Sequence, residues 1–432
     1  MEIRKRGHST RMNHDPNSHE ATTFVEDRLA RAASGSGPGG WELTLLPGEA
    51  EDACLEEWRK LERRLGHDRL TSQAAWVRRW LEHYRDLVAH WFAIAKSGGQ
   101  VRGMALVVVS SHQRRGPFRL RTIHLGTAGE PQGESVVVEF NTLLVEPSYE
   151  RIFIQGLLNA VSSQVDGWDE IRLDGIDPDD WAEIEEIQPA HPGRLVKRAT
   201  VRERRYCDLA GLRSGNQDIL ASLGSSTRSS LKRKLKQYPA LEMEWAEDKA
   251  RAVAIFEELQ ILHQARWQAA GSPGAFASRR FARFQRGVLE DLFDEGRVVV
   301  FRARDGNSTI GCLLLLVEQG RLLDYLSGFA PFDPGKSPGL VTHYLCMQEA
   351  LKRGYVAYDF LAGEKRHKEN LGKSTGELQW VSWHRLTWKM LLCDALSNVR
   401  SLYRSLLRSL KGYSISEPVV RHEWALQLLS EV

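Results

Sequence analysis

The sequence has 432 residues, of which 42% are hydrophobic and 27% are charged, and its formal net charge is +3. A chain of this length exceeds the size at which one hydrophobic core keeps growing, so two domains are expected. The composition is that of an ordinary globular protein. The small net charge excludes a protein that binds polyanions through bulk charge alone.

Neither a transmembrane helix nor a secretory signal is expected, because the sequence has no run of about 18 apolar residues and no apolar segment after its charged N-terminus. Residues 1–40 end in a run rich in Gly and Ser and are interpreted as a flexible arm. The cysteines are odd in number, widely spaced and form no CxxC pair, which indicates buried free thiols in a reducing compartment and predicts a cytoplasmic protein. They are Cys54, Cys207, Cys312, Cys346 and Cys393.

Secondary structure is predicted from residue 41 onward. Apolar alternation indicates strands, and apolar spacings of three or four residues indicate helices. The first half reads as a strand, two helices, three strands, an apolar run, a helix and a strand, at residues 41–46, 50–65, 71–84, 90–96, 101–111, 118–126, 136–145, 149–165 and 169–176. The second of these helices carries Trp76, Trp80 and Tyr84 on one face, and Thr71 or Ser72 is expected to cap its N-terminus.

The second half repeats this order after a joint near residues 190–210. It reads as a strand, two helices, three strands, a helix and two strands, at residues 241–245, 250–271, 278–296, 297–329, 339–354, 356–363 and 377–385. The apolar patterns of 90–109 and 298–317 match, as do those of 151–176 and 342–364. The repeat predicts an α/β protein with two tandem lobes, each a mixed, mostly antiparallel sheet flanked by helices. Their expected bounds are 41–205 and 206–386, with a helical extension over 387–432.

The strongest local motif is the run Asp-Pro-Gly-Lys-Ser-Pro-Gly-Leu at residues 333–340, between a predicted strand and a predicted helix. Its two glycines permit a tight turn, and Pro338 suits the first turn of a helix. The first amides of that helix would face an anion such as a pyrophosphate, and Lys336 would add a charge-assisted contact. Taken alone, the motif also fits an ordinary loop that caps a helix.

The order of elements in the second lobe resembles the core of the GNAT acyltransferases, with three antiparallel strands, a Gly-containing turn, a helix and a parallel strand. More narrowly, it resembles the CelD-like, Fem-related branch of that superfamily. This resemblance rests on residues 227–234, 262–267, Gly271, Phe276, Asp324, Tyr325, 337–339, 359–363, His367 and Lys368. The branch usually has Tyr where this chain has His367. With a degenerate first lobe included, the resemblance spans residues 41–386.

The resemblance implies an acyltransferase whose co-substrate is acyl-CoA, with acetyl-CoA as the expected donor and no metal. The implied donor-binding residues are Gly335, Lys336, Ser337, Pro338, Gly339 and Leu340. The acceptor would be an amine of a small metabolite, sugar or peptide, and direct attack requires a base for the amine, a polarised carbonyl and alignment of the two reactants.

Candidate catalytic residues lie near the expected donor loop, and candidate substrate-binding residues lie on a strand end and around a helix end. The catalytic candidates are Tyr325, Asp359, His367 and Lys368, with Glu364 beside them. The substrate-binding candidates are His263, Arg266, Trp267, Phe276 and Asp324. Plainer alternatives stay open, because Tyr325 also fits a core ring with a bonded hydroxyl, Asp359 fits a partner for a backbone amide, and the charged stretch 364–370 fits a solvated surface.

Two basic stretches repeat at a spacing of four residues. The first has Arg228, Lys232 and Lys236, with Arg233 and Lys234 beside them, and it fits contact with a phosphate-rich donor or with tRNA. The second has Arg400, Arg404 and Arg408 and fits weak contact with an anionic membrane surface. A solvated helix face fits each stretch as well.

Two other functions are compatible with this sequence. One is a Fem-like aminoacyltransferase that uses charged tRNA, and the other is a non-catalytic GNAT scaffold for interaction. The first lobe has no Gly-rich turn before Tyr149. We therefore expect a single donor site, in the second lobe, and an acceptor cleft that the first lobe helps to shape.

Overall fold

The computed structural model describes residues 35–37, 40–66, 69–181, 184, 186–363 and 366–396, and of residues 35–37, 366 and 367 it describes the backbone alone. The predicted arm lies almost entirely outside this range. So does most of the predicted helical extension, including Arg400, Arg404 and Arg408, although a helix does begin at residue 388.

The first half contains nine strands and three helices among its described residues. The strands are β1 (Gly35–Gly37), β2 (Trp41–Pro47), β3 (Ala89–Ser97), β4 (Gln100–Ser110), β5 (Arg114–Arg115), β6 (Phe118–Arg119), β7 (Thr122–Leu125), β8 (Leu144–Val145) and β9 (Glu170–Ile176). The helices are α1 (Glu51–Leu65), α2 (Ala74–Tyr84) and α3 (Glu150–Gln164). The predicted elements are present, and the apolar run 136–145, for which no element was predicted, forms a strand at its last two residues.

The second half contains, in its described part, seven strands and seven helices besides the one that begins at residue 388. The strands are β10 (Leu195–Asp208), β11 (Leu241–Trp245), β12 (Val298–Asp305), β13 (Ser308–Glu318), β14 (Arg321–Phe329), β15 (Ala357–Ala362) and β16 (Ser374–Arg385). The helices are α4 (Leu209–Ser214), α5 (Ile219–Ser222), α6 (Ser225–Leu235), α7 (Lys249–Ala269), α8 (Arg279–Leu292), α9 (Pro338–Lys352) and α10 (Arg366–Leu371).

The repeat predicted from the sequence is present as a symmetry of the main sheet, which has 14 strands. From one side of the sheet toward its centre, the strand order is β2, β3, β4, β7 and β9. From the other side, the corresponding order is β11, β12, β13, β14 and β15. Each half has one parallel pair, β7 with β9 and β14 with β15, and each of these pairings covers three residues. We call the first set of strands, with α1 to α3, the first lobe, and the second set, with α4 to α10, the second lobe.

The two lobes exchange a strand at the centre of the sheet. Strand β10, which follows the first lobe in the chain, pairs with β15 of the second, whereas β16, which follows the second lobe, pairs with β9 of the first. The two exchanged strands pair with each other along 12 residue pairs, from Leu195 with Arg385 to Tyr206 with Ser374. The boundary expected between residues 205 and 206 therefore falls inside β10.

Helices cover both faces of the sheet. On one face α1, α2, α7 and α8 pack over a single apolar cluster that includes residues of both lobes, such as Trp58 and Phe256. On the other face α3 covers the first lobe, while α9 with α4, α5 and α6 covers the second. All five cysteines are free and buried, as their distribution predicts. Within the described ranges no helix is long and apolar enough to cross a membrane, and no group of three or more metal-ligating side chains occurs.

Helix α2 joins the lobes through the aromatic face that its sequence predicts. The rings of Trp76 and Tyr84 lie 5.2 and 5.8 Å from the ring of Phe284 on α8. Beside them the guanidinium of Arg79 donates two hydrogen bonds to the Asp291 carboxylate, of 2.7 and 2.8 Å. Aromatic packing and a bidentate ion pair together stabilise one relative position of the lobes.

The polar ends of the α2 aromatic side chains hold the segment 126–143 of the first lobe. Trp76 Nε1 donates to Thr127 Oγ1 (2.9 Å), Trp80 Nε1 donates to the Glu130 carboxylate, and the Tyr84 hydroxyl donates to the Glu134 carbonyl (3.0 Å). The predicted N-cap is wrong. Gln73 occupies that position, and Thr71 and Ser72 are buried in the preceding turn, where Thr71 Oγ1 donates to the Phe140 carbonyl (3.3 Å).

Candidate active site

An opening lies where β14 and β15 stop pairing. Residues Arg321–Leu323 pair with Ala357–Asp359, and the rest of the two strands pair elsewhere. Tyr325 is a bulge, because its neighbours Asp324 and Leu326 pair with two consecutive residues of β13. Since α9 follows β14, the N-terminus of α9 lies at the same carboxyl end of the strands, where open α/β sheets bind ligands.

The β14–α9 loop (residues 330–337) uses its own amides to hold its shape. Asp333 Oδ1 accepts hydrogen bonds from the amides of Gly335 (2.7 Å) and Lys336 (3.4 Å), and the Asp333 carbonyl accepts one from the Ser337 amide (2.7 Å). Ser337 has a φ of 46°, which is strained for a residue with a side chain.

The amides that face outward belong to the first turn of α9, because the first N–H groups of a helix have no partner within it. In α9 these include the amides of Gly339 and Leu340, next to Pro338. A Cβ at Gly339 would lie 3.3 Å from the ring of Phe329, so glycine permits the close approach of this ring. The helix start thus presents donors and a positive dipole end to an anion.

The residue of α6 that contacts this loop is Lys234, which does not belong to the predicted stripe of Arg228, Lys232 and Lys236. Lys234 is buried, and its Nζ donates to the Pro334 carbonyl and to Ser337 Oγ, both at 2.6 Å. Lys232 and Lys236 are exposed. Lys336 projects its Nζ to 5.9 Å from the centre of the Tyr238 ring, just beyond α6.

The substrate-binding candidates on α7 lie beside β14. His263 Nδ1 is 3.1 Å from the Ser327 carbonyl oxygen, and its ring lies 5.1 Å from Phe276 and 6.0 Å from Trp267. The Arg266 guanidinium lies 6.0 Å from the Phe329 ring. The structure therefore brings these four candidates to one side of the opening.

Asp359 is completely buried at the end of the parallel pairing. Arg204 Nη1 donates to its Oδ2 (2.6 Å), and the Leu361 amide donates to its Oδ1 (2.8 Å). Burial raises the pKa of the Asp359 carboxyl, although Arg204 acts in the opposite direction. Leu361 has a φ of 62°, so this carboxylate holds a left-handed turn at the end of β15.

Tyr325 and Asp324 each have a polar contact near the bulge. Gln285 Nε2 donates to the Tyr325 hydroxyl oxygen (2.9 Å), and burial raises the pKa of this tyrosine well above its usual value. Asp324 Oδ2 lies 3.7 Å from Nε2 of the buried His343, whose Nδ1 lies 2.9 Å from the Tyr358 hydroxyl.

Lys368 and Glu139 approach the end of β15 from different lobes. Lys368 Nζ donates to the carbonyls of Ala362 (2.5 Å) and Leu361 (3.3 Å), and the Ala362 amide donates to Glu139 Oε2 (2.9 Å). Glu139 and Tyr325 both line a cavity of about 20 Å³ between the lobes. The side chain of His367, and Glu364, lie outside the described part of the chain.

Residues 225–369 match the sequence profile of the acetyltransferase (GNAT) domain. The match begins at α6, includes the β14–α9 loop and ends just past Lys368. This segment belongs to the GNAT acetyltransferase family. The match covers about a third of the chain, and no curated protein resembles the sequence closely enough to be matched.

Solved structures similar to this chain include FemX, with 13% identity, a TM-score of 0.43 and coverage of 70% of this chain and 90% of that one. A tandem GNAT protein from the clavulanic acid biosynthesis pathway has 13% identity, a TM-score of 0.40 and coverage of 79% and 98%. A GCN5-related N-acetyltransferase from Anabaena variabilis has 10% identity, a TM-score of 0.32 and coverage of 79% and 72%. The predicted fold class, α/β with two tandem lobes, each a mixed sheet flanked by helices, is confirmed by the order of strands in the main sheet and by the helices on its two faces.

The first GNAT-like lobe lacks the corresponding opening. Asn141 bridges β7 and β9. Its backbone N–H donates to the Gly175 carbonyl (3.0 Å), and its side-chain Nδ2 donates to the Leu125 carbonyl (3.1 Å). A Cβ at Gly126 would lie 2.9 Å from Asn141 Oδ1, so the side chain fills this gap. The segment that follows β7 also runs on to the second lobe, where it supplies Glu139.

Sequence reasoning named Lys234 only as a neighbour of the basic stripe, and it missed Glu139. Lys234 lies beside the repeating basic stripe, and the spacing alone does not separate it from its neighbours. Glu139 gives a clearer signal, since it is the single charged residue in the apolar run 136–145. An acidic side chain in such a run is costly unless the fold satisfies it or uses it.

Proposed function

We propose that the protein is an N-acyltransferase that transfers an acyl group from acyl-CoA to an amine of a small metabolite, sugar or peptide, with acetyl as the expected group. The opening between β14 and β15 beside the N-terminus of α9 is the observation that carries this proposal. It offers amides for a pyrophosphate next to a gap in which a thioester can lie against the edges of two strands.

The proposed donor site is built from the β14–α9 loop and the first turn of α9. The amides of Gly339 and Leu340 bind the pyrophosphate, and Lys336 adds a positive charge. Gly335, Ser337 and Pro338 shape the turn. Lys234 fixes the loop through its two hydrogen bonds, so that the amides are oriented before the donor arrives.

In the proposed reaction Tyr325 protonates the departing thiolate. Its hydroxyl is protonated at neutral pH and so carries a proton for the thiolate, although burial raises its pKa and makes it a weaker acid than a free tyrosine. Asp359 and Lys368 position the end of β15 through the contacts described above. His263, Arg266, Trp267, Phe276 and Asp324 form the acceptor side of the opening, and His367 remains a candidate in the same segment.

One acetyl-CoA is expected to bind per chain. The second lobe has an opening at its parallel strand pair, whereas Asn141 fills the corresponding gap of the first lobe. Isothermal titration calorimetry of the full chain measures the stoichiometry directly. A thermal-shift series supports it, since a ligand at 100 times its dissociation constant stabilises the folded state by about 2.7 kcal/mol. Two equivalent sites would contradict the proposal, and no binding of any acyl-CoA would favour a non-catalytic scaffold.

A Fem-like transfer from charged tRNA is the second candidate, and the basic surface of α6 favours it. Lys232, Arg233 and Lys236 are exposed, and none of them has a carboxylate partner within the part of the chain that the structure describes. Exposed cations of this kind neutralise nucleic-acid phosphates and make binding depend on salt.

The double variant Lys232→Glu/Lys236→Glu separates the two candidates. With acyl-CoA as the donor, it is expected to retain acetyl-CoA affinity within about threefold, because exposed charges are screened beyond a Debye length of about 8 Å at physiological salt. With tRNA as the donor, the salt slope of binding would flatten by roughly 1.4 to 1.8. Filter binding to bulk tRNA at several salt concentrations measures the slope.

The matched control for this variant is Lys60→Glu/Lys96→Glu, which makes the same charge change at two exposed residues of the first lobe. We expect weak tRNA binding by the wild-type protein and by both variants. Submicromolar, salt-dependent binding that only the α6 variant loses would contradict acyl-CoA as the donor.

A further inference from the structure

Glu139 lies in the cleft between the lobes as part of a segment that the first lobe holds firmly. The neighbouring residue Phe140 has a φ of 58°, and Arg204 lies 5.1 Å from its ring. The Phe140 carbonyl accepts the hydrogen bond from Thr71, and Asn141 bridges β7 and β9. A non-glycine residue in the left-handed region costs free energy and persists only where its surroundings enforce it, most often at functional sites.

The carboxyl group of Glu139 is directed to the second lobe. Its side chain is 9% exposed, and within the described chain its single hydrogen bond is the one from the Ala362 amide to Oε2. It lines the same cavity as Tyr325 of the β14 bulge and Leu361 of the β15 turn. The carboxyl group is therefore beside the opening in which the acyl group is proposed to lie, with acceptor capacity left over.

We propose that Glu139, supplied by the first lobe, is the general base that removes the proton from the acceptor amine. This assignment rests on the proposed acyltransferase function. It also gives the first lobe a part in the chemistry, although that lobe has no donor opening of its own.

The charges around Glu139 suit this role. Lys368 of α10 and Arg202 of β10 favour its ionised form, whereas Asp359 of β15 and burial favour the neutral form. Tyr325 faces the same cavity and stays neutral, and Glu318 of β13 lines the cavity but is paired with Arg69 (3.0 Å). Burial is the largest of these effects and raises the pKa of Glu139 to about 7, near the value at which a base works best in neutral solution.

The proposed step conserves atoms and electrons. The Glu139 carboxylate removes one proton from the ammonium form of the acceptor, and the freed lone pair attacks the thioester carbon. A C–N bond forms, and the C–S bond breaks with its electron pair leaving on sulfur. The thiolate takes a proton from Tyr325, which regains one from the nitrogen through water in the cleft. Glu139 then releases its proton to solvent.

The small volume of this cavity guides the choice of an amine acceptor for the activity assay. A volume of about 20 Å³ holds little more than one water molecule or an ammonium group, and five of its ten lining residues are leucine or valine. A slender primary amine such as n-butylamine can place its nitrogen there, so we choose it with acetyl-CoA as the assay pair.

The test combines a titration that needs no substrate with a kinetic comparison. In protein labelled with ¹³C at the glutamate carboxyl groups, the resonance missing from Glu139→Gln identifies Glu139 and is expected to titrate near pH 7. The glutamine oxygen still accepts from the Ala362 amide, so acetyl-CoA affinity is expected to stay unchanged. Acetyl transfer to n-butylamine is expected to fall at least about 100-fold.

The pH profile and a second acceptor distinguish a base from a structural residue. Wild-type kcat/KM is expected to rise with pH through about 7, because the carboxylate is the active form, and the variant is expected to lose this dependence. Hydroxylamine is largely unprotonated at neutral pH, so the variant is expected to acetylate it within a few-fold of the wild-type rate.

Glu130→Gln is the matched control, since Glu130 is a buried carboxyl of the same segment that bonds to Trp80 and does not line the cavity. It is expected to keep the wild-type pH profile. A Glu139 resonance that titrates near the usual pKa of about 4.3 would overturn the proposal. Unchanged transfer by Glu139→Gln would do the same. Failure of the wild type to bind any acyl-CoA would instead refute acyl-CoA as the donor, and the titration would still decide whether Glu139 is poised as a base.

Discussion

Replacement of Gly339 by glutamate is expected to abolish the binding of acyl-CoA, with a loss of affinity of at least about 100-fold, or roughly 2.8 kcal/mol. Gly339 lies in the first turn of α9, where the proposed pyrophosphate meets the helix amides. A carboxylate there competes for those amides and repels the phosphates. The Cβ atom of any side chain at this position would lie 3.3 Å from the Phe329 ring, so the ring has to shift by a few tenths of an ångström.

Gly339→Gln is the matched variant for this prediction, because it has the same shape without the charge. We expect it to bind acetyl-CoA more weakly than the wild type and much more tightly than Gly339→Glu. Calorimetry measures both affinities, while far-UV circular dichroism and the thermal midpoint establish that each variant is folded. Undiminished binding by a folded Gly339→Glu protein would refute the assignment of the donor site.

Replacement of Arg204 by methionine is expected to lower the free energy of unfolding by about 3 to 5 kcal/mol, because it leaves the buried carboxylate of Asp359 without its partner. Arg204 Nη1 donates to Asp359 (2.6 Å), and its Nη2 lies 3.6 Å from Asp177. Burial already raises the pKa of Asp359, so the loss of this cation removes the main group that stabilises its ionised form. Urea denaturation at neutral pH measures the change.

Two controls separate a buried unpaired charge from a general loss of packing. Arg205→Met changes the next residue of β10, whose partner Glu203 is exposed, and is expected to cost less than about 1 kcal/mol. The double variant Arg204→Met/Asp359→Leu removes both charges and is expected to recover most of the loss. A single variant Arg204→Met within about 1 kcal/mol of the wild type would contradict the prediction.

Local patterns allowed much of the fold to be predicted. The strands β3, β4, β12 and β13 have strong apolar patterns with turns between them, and the matched patterns of the halves indicated two lobes. The aromatic spacing of α2 placed Trp76, Trp80 and Tyr84 on one face, as the structure shows. The exchange of β10 and β16 could not be predicted, because apolar alternation identifies a strand but does not show which strand it pairs with.

The candidate site was predictable only in part, for a related reason. The turn and helix start at residues 333–340 are local, and their sequence signals the shape of the loop. Lys234 and Glu139 reach the opening through contacts between residues far apart in the chain, such as Glu139 with Ala362. No spacing rule encodes such a pair. The apolar run 136–145, which the sequence pattern assigns to neither a strand nor a helix, is held mostly by tertiary contacts rather than by pairing in the sheet.

The central exchange has a consequence for the order in which the chain folds as it leaves the ribosome. Strand β16 is synthesised after every other described strand, yet it pairs with β9 of the first lobe and with β10. Until residues 374–385 emerge, β9 and β10 each keep an open edge, and open edges invite pairing with other chains. The first lobe therefore completes its sheet only after the strands of the second lobe and β16 have been synthesised.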